Sequence, residues 1–417
     1  MAPLTRAGRA CQVVNETPRR ILLVDADAFY VAVARLVDPD GAGKAPLLIV
    51  GGSAERRGVV TSASYEARAF GVHSAMPMAR ALRLCPDALV VPVPWQACGE
   101  KSNAIYEVLK GFTPAIERAS IDEFYVDLSG TERLYHNEPL GSMAHRIRRA
   151  VLGATGLPVS IGGGTTKLIA KIAAGVAKPR PGTTADGVQV VDSGREEDFM
   201  RRFSLAEIPL IGPKFAEQLA ALGWRRVTDV IGWDLQTLRI RLGQRSGEWL
   251  YNRIRGIDTS PVHARALPHS ISRDETFARD LTSDAELVTE LLRLCDRAGA
   301  DLREGGFVAR TVTVKLRDWD FTTRQAGRTL PQPLASDRAI ARIALRLLEK
   351  LRRARRVPAR LVGVSVSELL PGGKAQLGLF SESIDSAIES ERDLALARAV
   401  DELRRRFGLE AVRRGSL

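Results

Sequence analysis

Cysteine is scarce in this chain. Its four copies, Cys11, Cys85, Cys98 and Cys295, are scattered and none belongs to a C-x-x-C pair. That excludes a cysteine-built zinc site and a disulfide framework, and it fits a reducing compartment. The five histidines form no Ser/His/Asp or Cys/His arrangement, so nucleophile-plus-base catalysis has no candidate. No apolar run is long enough to span a bilayer. Residues 1–19 lack the continuous apolar core of a signal peptide and read as a flexible leader. A cytoplasmic protein without membrane contact is expected. What the chain has in excess is positive charge, 61 Lys and Arg against 49 Asp and Glu, which favours a polyanionic partner. With 45% hydrophobic residues it builds a sizeable core, and 417 residues suggest two to four domains.

From residue 20 to about 191, β-branched runs alternate with amphipathic helices, and "TTKLIAKIAAGVAKP" is a helix ended by Pro179. From 192 to 258 the pattern changes to short helices. The stretch 259–268, "TSPVHARALP", reads as a linker, and 269–368 reads β-α-β-β-α-β, a small α+β domain. Residues 369–417 hold "GGKAQLGLF" and one charged helix, which reads as a solvated tail.

The stretch "ILLVDADAFYVAVA" runs a buried strand straight into Asp25 and Asp27. Taken singly, either acid reads as a helix N-cap. A second apolar strand context, "ASIDEFYVDL", carries Asp122 and Glu123. Half-buried carboxylates set close together repel one another unless cations neutralise them, and such all-oxygen donors suit Mg²⁺. Because neighbouring strand residues face opposite ways, Asp122 and Glu123 reach one centre only at a strand end or bend.

The motifs "VDADAFY", "SYEARAFGV", "SIDEFYVDL" and "KLIAKIAAGVAKP", in that order, resemble those of the Y-family translesion DNA polymerases, most nearly the bacterial DNA polymerase IV type. The resemblance covers roughly residues 20–380. It implies an α+β multidomain right hand. The palm would be ferredoxin-like (20–28 and 94–191), with small fingers (29–93) and a helical thumb (192–258). The linker (259–268), little finger (269–368) and tail (369–417) follow. Asp25, Asp122, Glu123 and the Ala26 carbonyl would hold two Mg²⁺ ions, with the three carboxylates catalytic. Tyr30 matches the steric gate against ribonucleotides. Phe29, Ser62, Tyr65, Arg68 and Lys178 would bind the incoming dNTP; Tyr65 and Arg68, three apart on a helix's first turn, share a face. Ser62 stands where the family often has Thr, and both "IGGGTTKL" and "AKPRPG" depart from the usual pattern.

"LAEIPLIGPKFAEQLAALG" resembles the thumb's helix-hairpin-helix, with Leu210 where Gly is commoner, and it implies DNA contact near Gly212 and Lys214. In "VARTVTVKLR", Val312, Val314 and Leu316 alternate with Thr311, Thr313, Lys315 and Arg317, a polar side suited to phosphates. Arg273 joins these as a candidate DNA contact. Residues 259–368 carry 20 Lys and Arg against 14 Asp and Glu, half the chain's excess. Gln376, Leu377, Leu379 and Phe380 of "QLGLF" resemble the bacterial sliding-clamp-binding pentapeptide. The partners implied are primer–template DNA, dNTPs and the clamp, engaged by a monomer. A non-catalytic clamp-binding scaffold would lack the acids. A nucleotide cyclase on the same palm would leave the thumb hairpin, the basic sheet and "QLGLF" unexplained.

Overall fold

The computed structural model describes residues 18–179, 185–263, 267–372, 389–408 and 411–412. The "QLGLF" pentapeptide, residues 1–17 of the leader and residues 180–182 of "AKPRPG" lie outside them. Among the described residues no helix is long and apolar enough to cross a membrane. The chain divides into two compact units, Met1–Ser53 with Val59–Ala266, and Ala54–Gly58 with Leu267–Leu417.

The first unit opens with β1 (Ile21–Ala26), α1 (Phe29–Val37), β2 (Leu48–Gly51), β3 (Val60–Ala63), α2 (Tyr65–Ala69), α3 (Met78–Leu84) and β4 (Leu89–Val91). It continues through α4 (Trp95–Lys110), β5 (Ile116–Arg118), β6 (Glu123–Asp127), α5 (Leu140–Thr155), β7 (Val159–Gly164), α6 (Lys167–Ala177) and β8 (Val188–Val190). β1 is the middle strand of a five-stranded sheet ordered β5-β6-β1-β7-β8, while β2, β3 and β4 form a separate small sheet. Both faces of β1 are covered. Leu22 and Val24 pack with Ile105 and Leu109 of α4 and Ile147 and Val151 of α5. Ile21 and Leu23 pack with Ala170 and Ala174 of α6 on the other side. This double burial is why the strand reads as an unbroken apolar run.

The glycines of "IGGGTTKL" have a packing reason. A Cβ on Gly162 would meet the Ala170 carbonyl oxygen at 2.1 Å and the Ala174 nitrogen at 2.0 Å. Backbone therefore lies against backbone where α6 crosses β7. Thr166 caps α6 by accepting from the Ile169 N–H.

Short helices finish this unit: α7 (Glu196–Met200), α8 (Pro213–Ala221), α9 (Val227–Val230), α10 (Leu235–Leu242) and α11 (Gln244–Ile254). Phe199, Met200, Val227 and Leu250 of this group pack with Leu168, Ile169 and Ile172 of α6. Leu210, in the turn before α8, has φ 73° and is exposed. This is a left-handed position that costs a non-glycine residue about 1 kcal/mol, the physical reason that glycine is commoner there.

The second unit contains β9 (Ser270–Leu281), α12 (Asp284–Glu304), β10 (Phe307–Asp318), β11 (Thr323–Leu334), α13 (Asp337–Ala354) and β12 (Ala359–Pro371), the expected β-α-β-β-α-β order. Its sheet runs β11-β10-β12-β9, antiparallel throughout. Leu291, Cys295 and Leu302 of α12 and Ile340, Ile343 and Leu347 of α13 fill one face with Val312, Val314, Leu316 and Val364. The last helix, α14 (Glu391–Phe407), is no free tail. Asp401 accepts two bonds from Arg303 at 2.7 and 2.8 Å, and Asp393 pairs with Arg338 at 3.3 Å. Glu389 accepts from the Ala335 and Ser336 N–H groups just ahead of α13. These long-range ion pairs dock the helix, and nothing local in the sequence announces them.

Candidate active site

Alternation along β1 puts Asp25 on the same side as Ile21 and Leu23, facing α6. Its register partner on β6 is Glu123. Glu123 opens that strand, and Asp122 sits in the bend before it, where Ser120 Oγ donates to Asp122 Oδ1 at 2.5 Å. The Ala26 N–H bonds the Asp122 carbonyl at 3.0 Å, which ties the two acidic stretches together. The strand-end geometry demanded by the adjacent acids is therefore present. Ala28 then turns the chain with φ 44° and ψ 45°, serving as the N-cap of α1 without a side-chain bond. Neither Asp25 nor Asp27 caps that helix.

Two ammonium groups from the α6 region meet these carboxylates. Lys178 Nζ donates to Asp25 Oδ1 at 2.8 Å, and Lys171 Nζ donates to Glu123 Oε1. Lys167, at the start of α6, donates to both oxygens of Glu117 at 2.7 Å. Burial raises the pKa of Asp25; Lys178 opposes the shift and Glu123 adds to it. Burial likewise raises Asp27, whose Oδ1 accepts from Ser160 Oγ at 2.8 Å. Burial works against the charge of Lys178, yet the nearby Asp25, Tyr65 and Asp27 raise its pKa overall.

Among the described residues two buried polar atoms here have no partner, Asp27 Oδ2 and the Tyr65 hydroxyl. Tyr65 is raised by burial first and by Asp27 next, which places its ring beside the acids. Arg68 stacks over that ring at 5.1 Å, donates from Nε to the Ala63 carbonyl at 2.9 Å and reaches buried Ser62 at 3.5 Å. Tyr30 stands edge-on to Phe29, with centroids 5.4 Å apart, and to Trp95 at 6.0 Å. Its hydroxyl pKa is raised by burial and then by Asp122. Asp25, Glu123, Lys178, Tyr65 and Asp27 thus belong to one neighbourhood, with Asp122 and Tyr30 at its edge. Among the described residues no three acidic, histidine or cysteine side chains are close enough to enclose a metal ion, and Asp122 accepts from Ser120. The donor set is nevertheless all-oxygen and anionic, with an orphaned carboxylate oxygen beside it, and this fits a hard divalent cation.

Sequence reasoning missed Lys171, Ser160 and Trp95. Lys171 was findable, because it lies seven residues before Lys178 and two helical turns return to the same face. Trp95, 64% exposed, had only the signal of an aromatic directly after a proline.

The candidate DNA contacts are more dispersed. Gly212 and Lys214 are exposed at the start of α8. Thr311, Thr313, Lys315 and Arg317 share the sheet face opposite the helices, and Lys315 pairs there with Asp274. Gly363 lies between the two, where a Cβ would collide with the Asp274 carboxylate at 1.8 Å. Arg273 belongs to the other face. Its phase on β9 matches Ile271 and Phe277, and it pairs with Asp301 of α12 at 2.5 Å. An arginine held there is not on the polar face with Lys315.

Comparison with known proteins decides the family. The impB/mucB/samB family model matches residues 24–175, and its C-terminal domain matches 268–379. The chain is 36% identical over 397 residues to a DNA polymerase IV of Dehalococcoides mccartyi, covering 95% of this chain and 97% of that one. It is 35% identical to a DNA polymerase IV of Caulobacter vibrioides, covering 93% and 92%. The solved Y-family DNA polymerase chimera of Dbh and Dpo4 superposes with a TM-score of 0.74 at 25% identity, covering 85% of this chain and 100% of that one. This chain belongs to the Y-family DNA polymerases. It is a DNA-directed DNA polymerase with the α+β right-hand fold of that family, and the carboxylate neighbourhood lies within the matched N-terminal region. An insertion ternary complex of Dbh DNA polymerase superposes with a TM-score of 0.58 at 25% identity, covering 85% of this chain and 100% of that one.

Proposed function

We propose that the enzyme performs error-prone translesion synthesis. It would join the primer 3′-oxygen to the α-phosphorus of a dNTP, break the bond to the β-phosphate and release pyrophosphate. The observation that carries this reading is the register pairing of Asp25 with Glu123 at their strand ends, each carboxylate met by a lysine. Asp25, Asp122, Glu123 and the Ala26 carbonyl would hold two Mg²⁺ ions. Bound there, the ions would supply the charge that acidifies the primer hydroxyl and stabilises the leaving pyrophosphate. Ser120 Oγ holds the Asp122 carboxylate at the start of the strand that carries Glu123.

The remaining work is positioning. Lys178 leaves Asp25 for the triphosphate as a point charge. The unpartnered Tyr65 hydroxyl and the planar Arg68 fork bind phosphate oxygens, supported by Ser62. Tyr30, held by Phe29 and Trp95, lies under the sugar and rejects a 2′-hydroxyl. Gly212 and Lys214 in the thumb, and Thr311, Thr313, Lys315 and Arg317 in the little finger, hold primer–template DNA. Gln376, Leu377, Leu379 and Phe380 engage the sliding clamp, and the polymerase acts as a monomer.

Primer extension with Mg²⁺ and dNTPs, on intact and damaged templates, tests the reading. Extension stopping at every lesion would refute the translesion role. Tyr30→Ala should raise ribonucleotide insertion about a hundredfold, and unchanged sugar selection would take Tyr30 out of the gate.

A further inference from the structure

The tip of the β10–β11 hairpin carries two large exposed aromatics, Trp319 at 55% and Phe321 at 63% of their accessible surface. Neither belongs to the core of the second unit, and neither has a part in the chemistry proposed above. Phe321 also has φ 66°, a left-handed conformation that a bulky side chain rarely adopts. The tip is nonetheless fixed. The Asp318 N–H bonds the Thr322 carbonyl at 2.9 Å, and the Phe321 N–H bonds the Asp318 carbonyl at 3.0 Å. Beneath the turn, fully buried Asp318 is gripped by Arg324 and Arg355, each with a contact of 2.8 Å. Arg355 also holds Asp320 at 2.8 Å. A rigid support therefore presents two rings to solvent.

The surroundings of the rings identify what they would bind. The Arg360 guanidinium stacks on one face of Phe321 at 4.6 Å, and Arg317 bonds only the Thr323 hydroxyl, at 2.9 Å. Neither arginine pairs with a carboxylate among the described residues. Arg317 belongs to the outer sheet face read above as a DNA grip, and it precedes the tip by one residue, Asp318. Aromatic rings interleaved with uncompensated arginines provide π-surfaces for bases and cations for phosphates. A paired duplex offers no free base face along its sides, whereas an unpaired strand does.

We propose that Trp319, Phe321 and Arg360 form a stacking platform for unpaired bases of the template strand. This rests on the outer-face reading of the little finger, and the test separates the two. Binding of the full-length protein is measured by fluorescence anisotropy on labelled primer–templates, one with a 5′ overhang of about ten nucleotides and one blunt. The Trp319→Ala, Phe321→Ala double variant should bind the overhang substrate about tenfold more weakly and the blunt substrate like wild type. An abasic overhang should reduce wild type to the level of the variant. Phe321→Tyr, which keeps a ring in the same conformation, should keep the affinity. The lost component should persist at higher salt, since stacking releases no counterions.

Equal affinity of the double variant for the overhang substrate would overturn the platform. Equal losses on both substrates would do so too, as would an abasic overhang bound as tightly as an intact one. A Lys315→Gln variant reports on the outer face alone and should weaken both DNAs. If it binds both like wild type, the outer-face reading fails, whatever the tip variants do.

Discussion

Asp25 and Asp318 are both buried aspartates facing cations, and they are treated oppositely. Asp318 is fully buried and meets two guanidinium groups, Arg324 with two bonds and Arg355 with one. Arg324 also donates to the Arg355 and Leu351 carbonyls, so it is itself immobilised. Asp25, 5% exposed, has a single ammonium at the end of a flexible stem, a second carboxylate opposite it, and a pKa raised by burial. Planar forks satisfy a charge permanently, while a lysine can leave. The little finger uses its aspartate to set a turn. The palm keeps its own under-neutralised, and among the described residues Asp27 Oδ2 and the Tyr65 hydroxyl have no partner, the state that the proposed cation and phosphate binding requires.

The largest effect that would break this contrast is expected from Glu123→Gln. Primer extension should fall on the order of a thousandfold, a loss of several kcal/mol in the transition state. The melting temperature should hold or rise, because Asp25 loses a like-charged neighbour. Retained activity, or a collapse in stability, would make Glu123 a structural acid like Asp318. Next in size, Asp318→Ala should cost about 2–4 kcal/mol in the denaturant unfolding of the second unit, because it strands two arginines. A change under 0.5 kcal/mol would deny that the cage is structural. The smallest and most discriminating change is Lys178→Arg. A fork locked on Asp25 should lower activity about tenfold and raise the Mg²⁺ concentration for half-maximal extension, while the metal-free protein melts no lower. Wild-type Mg²⁺ dependence would show that the cation at Asp25 has no need to move.

Much of this was legible in residue order. The run Ile21–Val24 ending in acids gave away a doubly covered strand with carboxylates at its mouth, because burial on both faces removes alternation. The second unit was legible because its strands and helices differ in period. Arg273 was not, for a reason of position. β9 is an edge strand, and while Ile271, Phe277 and Leu281 on its helix-facing side reach the core, the two positions on that side between Ile271 and Phe277 are charged. Arg273 and Glu275 are satisfied there by Asp301 and Arg293, and the charge disguises the inward phase. The docking of α14 was hidden too, since its partners Arg303 and Arg338 lie 98 and 55 residues away in the chain. Leu210 stands where glycine is commoner, and only the backbone shows why that matters, a left-handed turn with φ 73°.

At Gly162 no side chain separates β7 from the backbone of α6, which lies against it at Ala170 and Ala174. Lys167 and Lys171 ride on that rod and Lys178 on its tip, matched to Glu117, Glu123 and Asp25. A bulkier residue at the crossing would displace the three cations in concert and leave all three carboxylates mismatched at once. The electrostatic register of this carboxylate neighbourhood thus depends on the thickness of one backbone contact.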